Sequence, residues 1–407
     1  MARWRSHQQQ RLSLNFAKLV GEKMSPSHKP LDGLIVADFS RVLAGPYCSM
    51  LLADMGATVI KVESPQGDDT RTWMPPTKNG VATYYMSINR NKKSLVLDFS
   101  SEEDRKVGLA LIKRADIFIE NFKTGGLKKF GFDFDSVATI NPKLIYLSIS
   151  GFGTAEGAWL PGYDLIVQAV SGLMSLTGDP NGPPFRAGIS VFDVMAGLHG
   201  LIGVLTALHQ RENTGRGQHV EVNLLSSAMS GLVNQTAAYA AAGEVPFRMG
   251  NAHPSLFPYE ALPTKDRNLI IAAGNDKQFR ALCKVLEIES VADDSRFTAN
   301  SDRTANREQL RPLLLARLAE WAADDLFIAL NKVGVPCGPI NTIGDGVELA
   351  EKLGLKPRIA VGEGDRKVDL IRNPITFSEG ELSYELPPPH LGEHSDEIRK
   401  WLKESQG

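Results

Sequence analysis

"LIVADFSRVLAGPYCSMLLADMGATVIKVES" (residues 34–64) decides the fold class. Its first seven residues are a short apolar run rich in β-branched side chains, the mark of a buried strand. "GPYCSMLLADMG" (45–56) reads as a helix stopped by Gly56. "TVIKVES" (58–64) is the next strand. Strand, helix, strand over so short a span predicts parallel strands joined by a crossover helix.

The pattern continues downstream. "LIKRADIFIENF" (111–122) runs from a helix end into a strand, and "LIYLSIS" (144–150) is another strand. Alternating strands and helices predict an α/β fold with a parallel sheet. Ligands in such sheets sit beyond the carboxyl ends of the strands. Three loops follow those ends, at 40–46, 63–69 and 120–126.

From about residue 223 the character changes. "NLLSSAMSGLVNQTAAYAAAG" (223–243) reads as one long Ala-rich helix, and "YEALPTKDRNLIIAAG" (259–274) as two strands around a polar turn. Residues 276–286 and 306–334 read as helical. This predicts a smaller inserted α+β domain. The expected division is an N-terminal extension at 1–29, a large domain from 30–222 and 336–407, a linker helix at 223–251 and a small domain at 252–335.

Bulk composition narrows the function classes. A chain of 407 residues exceeds one ordinary core, so more than one domain is expected. A net charge of −2 offers no electrostatic case for a nucleic-acid or membrane partner. Cys48, Cys283 and Cys337 are odd in number and far apart, which argues against a disulfide framework or a zinc cluster. The longest apolar stretch, 194–209, is broken by glycines and histidines and falls short of the ~20 residues that span a bilayer. The N-terminal stretch carries Arg3, Arg5, Arg11 and Lys18, with no acid before Glu22. That is the composition of a mitochondrial transit peptide. The other readings are a basic tail on a cytoplasmic protein or a true start at Met24.

Four motifs bear on chemistry. "HLGEH" (390–394) has the His/Glu/His order of an inverted zincin, but Pro387–Pro389 precede it and Gly392 interrupts it. A surface turn without metal is expected. "GFGTAEG" (151–157) resembles a nucleotide loop but lacks the full fingerprint. "NRNKKS" (89–94) is either a solvated basic face or a phosphate contact. Asp193 is the one acid in "GISVFDVMAGLHGLIGVLTALHQ" (188–210). A carboxylate there either caps the helix that follows or does chemistry, and the two roles are compatible. A helix N-terminus would hold it ionised.

Together, "PLDGLIVADFSRVLAGPYCSMLLADMGATVIKVE", "NRNKKSLVLD", "ENFKTGGLKKFGF", "GYDLIVQAVSGLM", "TGRGQHVEV", "GVPCGPI" and "HLGEH" resemble a class III CoA-transferase. The resemblance runs from about residue 30 to 400. It implies a Rossmann-like large domain built from both chain ends, a smaller inserted domain, and a homodimer of interlocked rings. It places the catalytic aspartate at Asp193, which would form an aspartyl anhydride and then an aspartyl-CoA thioester. No permanently bound cofactor is implied; a CoA thioester is the substrate and a free carboxylic acid the second partner. Small residues near the aspartate, Gly188 and Gly197, would allow close approach. CoA contacts fall by position on Arg41, Val42, Leu43, Ala44, Leu97, Asn121, Phe122, Lys129 and Tyr163. Lys129 stands where the family usually has arginine, which keeps the charge and loses the bidentate fork.

Residue 163 also bears on the reaction. The racemase branch has a histidine there, and a tyrosine is a poor general base at neutral pH. The transferase is therefore expected, with a 2-methylacyl-CoA racemase and a non-catalytic CoA-ester-binding protein as alternatives. "GDDTRTWMPP", "YYMSINRNKKS" and "AHPSLFPYEALPTKD" resemble the succinyl-CoA:glutarate branch. That implies CoA transfer from a dicarboxylyl-CoA, succinyl-CoA foremost, to glutarate, hydroxymethylglutarate or itaconate. The distal carboxylate needs a cation, and Arg186, Arg71 and His253 are the candidates.

Overall fold

The computed structural model describes residues 29–404. The basic N-terminal stretch and Met24 lie outside the described residues. Six strands make one sheet: β1 (Ile35–Asp38), β2 (Thr58–Glu63), β3 (Lys92–Val96), β4 (Ile117–Glu120), β5 (Ile145–Ser150) and β6 (Gln218–Asn223). Their order is β3-β2-β1-β4-β5-β6, and every neighbouring pair is parallel. This is the doubly wound order, whose direction of growth reverses between β1 and β4.

The helices that matter here are α1 (Ala44–Asp54), α2 (Thr83–Ile88), α3 (Glu102–Arg114), α4 (Phe134–Ile140), α5 (Asp164–Val170), α6 (Val191–Thr214) and α7 (Leu224–Gly231). α3 shows why such segments fold locally. Ser101 caps it by accepting from the Asp104 N–H, acids fill its first turn, and Lys113 and Arg114 close its last. It buries Leu111 and Ile112 against Phe39, Phe118 and Phe132 on one face of the sheet. Ile398 and Leu402 of the C-terminal helix (Ser395–Glu404) join the same cluster. Truncating Phe118 or Leu111 to alanine there would cost about 2–5 kcal/mol. α1 and α6 pack on each other and on the strands. Gly197 makes that contact possible: a Cβ at this position would lie 2.6 Å from the Ala44 carbonyl oxygen. Its close approach is thus to backbone, while Gly188 faces open space.

α6 is longer than the apolar stretch read from sequence. By length and composition it could cross a membrane. In this unit it buries Phe192, Ala196, Gly200, Leu201, Val204 and Ala207, and contacts α1, β5, β6 and α7.

The chain forms two compact units. The first takes in residues through Val167, Ser190–Gly231 and Lys356 onward; the second takes in Gln168–Ile189 and Leu232–Leu355. The second has its own antiparallel sheet of β7 (Tyr259–Pro263), β8 (Asn268–Ala272) and β9 (Cys337–Pro339), in the order β9-β8-β7. Its core gathers Leu262, Leu269, Phe279, Leu314 and Leu330.

Three boundaries differ from the sequence reading. Residues 168–189, expected in the large domain, fall in the second unit. Residues 336–355 fall in the second unit, because Cys337–Pro339 pairs with Leu269–Ile271. The long helix expected across 223–251 is two: α7 ends at Gly231, and a separate helix spans Asn234–Ala242. Val233 between them has a left-handed φ of 42°. The end of the Met195 side chain packs into the space beside Gly231.

"HLGEH" is a turn. Glu393 accepts from the His390 N–H at 2.8 Å and pairs with Arg366, while His394 Nδ1 accepts from the Ser94 N–H at 3.3 Å. These contacts dock the C-terminal helix beside β3.

Candidate active site

The crevice opens where the sheet order reverses. The loops after β1 and β4 are stitched together there: the Arg41 N–H donates to Asn121 Oδ1 at 2.8 Å, and Asn121 Nδ2 donates to the Arg41 carbonyl at 2.7 Å. Val42 has a φ of 65°. A β-branched residue there is strained by about 1–3 kcal/mol and persists only when its surroundings hold it.

Two cavities adjoin at Arg41 and Phe122, of about 290 and 430 Å³. The first is lined by Val42, Leu43, Ala44, Asn121, Tyr163 and Asp193, with backbone from Gly151–Gly153. The glycine loop owes its shape to close packing, since a Cβ on Gly151 would lie 2.5 Å from the Cα of Gly162. The second is walled by Phe39, Phe99, Phe122 and Phe130, with Leu97 and Lys129. Phe99 meets Phe130 at 5.4 Å, and Lys129 Nζ lies 4.7 Å from the Phe130 centroid. All nine positions expected to contact CoA line one cavity or the other.

Asp193 sits in the first turn of α6, three residues after the N-cap position at Ser190. It is not the cap. Asp164 accepts from the Phe192 and Asp193 N–H groups at 2.8 and 3.2 Å, so a carboxylate from α5 occupies the helix end. The helix end thus serves Asp164, and it does not hold the Asp193 carboxyl at its ordinary low value as the sequence reading expects. Burial, and then the Asp164 charge, push the Asp193 carboxyl up to about 7. Tyr84 of α2 is close by. Burial and then the Asp193 charge raise its phenol, and it is hydrogen-bonded to Ser190. Trp73 packs edge-on against it at 5.1 Å.

An ionic floor lies under the ends of β1, β2 and β3. Lys61 Nζ donates to Asp68 Oδ2 at 2.8 Å and to the Ser40 carbonyl at 3.2 Å. Lys92 Nζ reaches Asp38 Oδ2 at 3.2 Å. Burial pulls the Lys92 ammonium down to about 8 against the pull of Asp38. Burial acts to raise the Asp68 carboxyl, but Lys61 and the Thr70 bonds outweigh it and hold Asp68 at about 2. The basic run 89–94 belongs to this floor. Arg90 pairs with Asp54 at 2.6 Å and both are buried, so the run is neither a solvated face nor a free phosphate contact.

The three candidates for a distal carboxylate fare differently. Arg71 is committed elsewhere: it forks onto Glu63 at 2.8 Å twice, donates to the Tyr85 hydroxyl at 2.6 Å and reaches the Pro389 carbonyl. That corrects its assignment, since its donors are spent inside the fold. Arg186 and His253 lie in the second unit, Arg186 exposed and His253 accepting on Nδ1 from the Ser255 N–H. The cations lining the Asp193 cavity are Arg41 and Lys123. Lys123 was missed from sequence, and so were Asp164 and Tyr84. Lys123 lies in "ENFKTGG", one of the three strand-end loops, and that position was its only signal. Among the described residues, no group of three or more His, Cys, Asp or Glu is placed to hold a metal ion.

Comparison with known proteins gives this arrangement a family. Residues 31–395 match the model of CoA-transferase family III. The chain is 43% identical to succinate–glutarate CoA-transferase of Agrobacterium fabrum, over 92% of this chain and 96% of that protein. It is 38% identical to acetyl-CoA:oxalate CoA-transferase of Acetobacter aceti, over 91% and 95%. A CAIB/BAIF family protein from Brucella suis, solved by crystallography, superposes with a TM-score of 0.82 at 44% identity, covering 92% of this chain and all of that one. The chain belongs to CoA-transferase family III and is a CoA-transferase that takes CoA thioesters as substrates.

Proposed function

We propose that this enzyme moves CoA from succinyl-CoA to glutarate, with Asp193 as the group that forms the anhydride and then carries CoA. The observation that carries the reading is the Asp193 carboxyl, poised near 7 on the wall of the switch-point cleft. At neutral pH much of it is ionised, poorly hydrated and basic enough to attack a thioester. The acid pair of the 43% identical relative supplies the substrates.

The chemistry balances with this one side chain. An Asp193 oxygen bonds to the succinyl carbon as the C–S bond breaks, leaving an anhydride and CoA thiolate. The thiolate adds to the Asp193 carbonyl and expels succinate, leaving an aspartyl-CoA thioester. Glutarate displaces the thiolate, and the thiolate then takes the glutaryl group and frees Asp193. The aromatic cavity suits the adenine of CoA, with Leu97 and Phe122 against the base and Lys129 near its phosphates. Arg41, Val42, Leu43, Ala44 and Asn121 would line the path to Asp193, with Tyr163 beside the thioester. Among the described residues no histidine lines the Asp193 cavity, which favours transfer over racemisation. Lys123 and Arg41, which line the Asp193 cavity, are the candidates for the distal carboxylate.

We also propose a homodimer of interlocked subunits in mitochondria. Large apolar side chains left open in one subunit, such as Phe247 at 71% and Val245 at 74% exposed, support the first. The basic N-terminal composition supports the second. Sedimentation tests one and localisation of a fluorescent fusion the other.

The test of function is a mass-spectrometric exchange assay with succinyl-CoA and glutarate, hydroxymethylglutarate, itaconate and oxalate. Glutaryl-CoA should form fastest with the native enzyme and vanish with Asp193→Ala. Undiminished exchange by that variant would overturn the role of Asp193. A different preferred acid would overturn the acceptor.

A further inference from the structure

The loop Ser40–Leu43 lines both cavities and carries the left-handed Val42. Nothing within the loop explains why a valine holds that conformation. Two sets of contacts do. From above, Asn121 bonds both backbone groups of Arg41. From below, the loop rests on the ionic floor. Asp38 accepts from the Ser40 N–H and hydroxyl. Lys61 Nζ donates to the Ser40 carbonyl, and Asp68 Oδ1 accepts from the Val42 N–H at 3.4 Å. Lys61 is fully buried and Asp68 nearly so, and their pairing distance is 2.8 Å. Asp68 is further anchored by the N–H and hydroxyl of Thr70. The pair thus connects β2 and the 63–69 loop to the backbone on either side of Arg41.

We propose that Lys61 and Asp68 are positioning residues for CoA binding: the buried pair holds the Ser40–Leu43 loop, with Val42 left-handed, in the shape that lines both cavities. This rests on the reading of those cavities as the CoA cleft. Neither residue is among those that line the cavity holding Asp193, so the effect falls on binding rather than on the chemical step. A pair that merely supports the fold would weaken everything together and would take no notice of which residue stands at 42.

The experiment is a double-mutant cycle of Asp68→Asn with Val42→Gly. Its readouts are the Kd for free CoA, KM and kcat with succinyl-CoA, and amide exchange of residues 40–44 without CoA. Asp68→Asn should raise Kd and KM roughly tenfold, the equivalent of releasing one left-handed non-glycine residue, with kcat within about twofold. Amides 40–44 should exchange faster. In the Val42→Gly background the same substitution should cost CoA binding far less, because glycine holds a φ of 65° unaided. An equal cost in both backgrounds, or a fall in kcat with KM unmoved, would overturn the proposal. Should Asp68→Asn fail to fold, Lys61→Met with Asp68→Asn leaves no unpaired buried charge and is read the same way. If the native enzyme binds no CoA, the cleft reading fails, and faster exchange at 40–44 still decides for or against the clamp.

Discussion

Asp193 and Asp68 line neighbouring cavities of one unit, yet one carboxyl is pushed up to about 7 and the other held at about 2. Desolvation acts upward on both. The difference is their partners. Asp68 has an ammonium and three further donors. Among the described residues Asp193 has no donor to its carboxylate, and it faces a second carboxylate at Asp164. A saturated carboxylate holds structure; an unsaturated one is free to react.

The largest test of that contrast is Asp193→Ala. Loss of the nucleophile should lower kcat by at least ~10³-fold in a steady-state assay, while CoA affinity by calorimetry stays within a few-fold. Comparable loss of kcat from Asp68→Asn at saturating substrate would erase the distinction. Next is Arg71→Ala, which strands the buried Glu63. Urea unfolding should register a loss of about 3–5 kcal/mol. A normal stability with a raised KM for glutarate would return Arg71 to the substrate.

Third is pH. The transfer rate should rise with a midpoint near 7, since the ionised Asp193 attacks. Removing the neighbouring charge with Asp164→Asn should move that midpoint down, by less than the whole rise because burial is the larger cause. The two carboxyls also bend stability in opposite senses. Asp68 lies below its unfolded value, so its contribution is present above about pH 4 and lost as pH falls toward 2. Asp193 lies above its unfolded value, so the fold loses stability as pH rises from about 4 to 7. Thermal melts across pH should therefore show Asp193→Asn stabilising at pH 8 and nearly neutral at pH 4. The smallest effect is from Tyr84→Phe, which removes one hydroxyl from the Ser190 bond. Its rate profile should shift by less than that of Asp164→Asn.

What was legible from the sequence had local signals. The buried strands of the first unit are apolar runs, and Asp193 is the one acid in the apolar stretch 188–210, which runs into α6. The three strand-end loops follow directly from alternation, and all three reach the cavities. What was not legible depends on distant partners. Arg71 looked free because its contacts to Tyr85 and Pro389 are brought together only by the fold. Asp164 caps a helix that begins 27 residues later. The 89–94 run read as a solvated face or a phosphate contact because Asp54 and Asp38 lie on other elements. The boundary near 336 was missed because a three-residue strand carries almost no periodic signal.

The most direct measurement is peptide mapping by mass spectrometry after acid quenching of the enzyme with succinyl-CoA. A succinyl or CoA adduct should appear on Asp193 and discharge when glutarate is added. An adduct on another residue that glutarate discharges at the turnover rate would contradict the assignment.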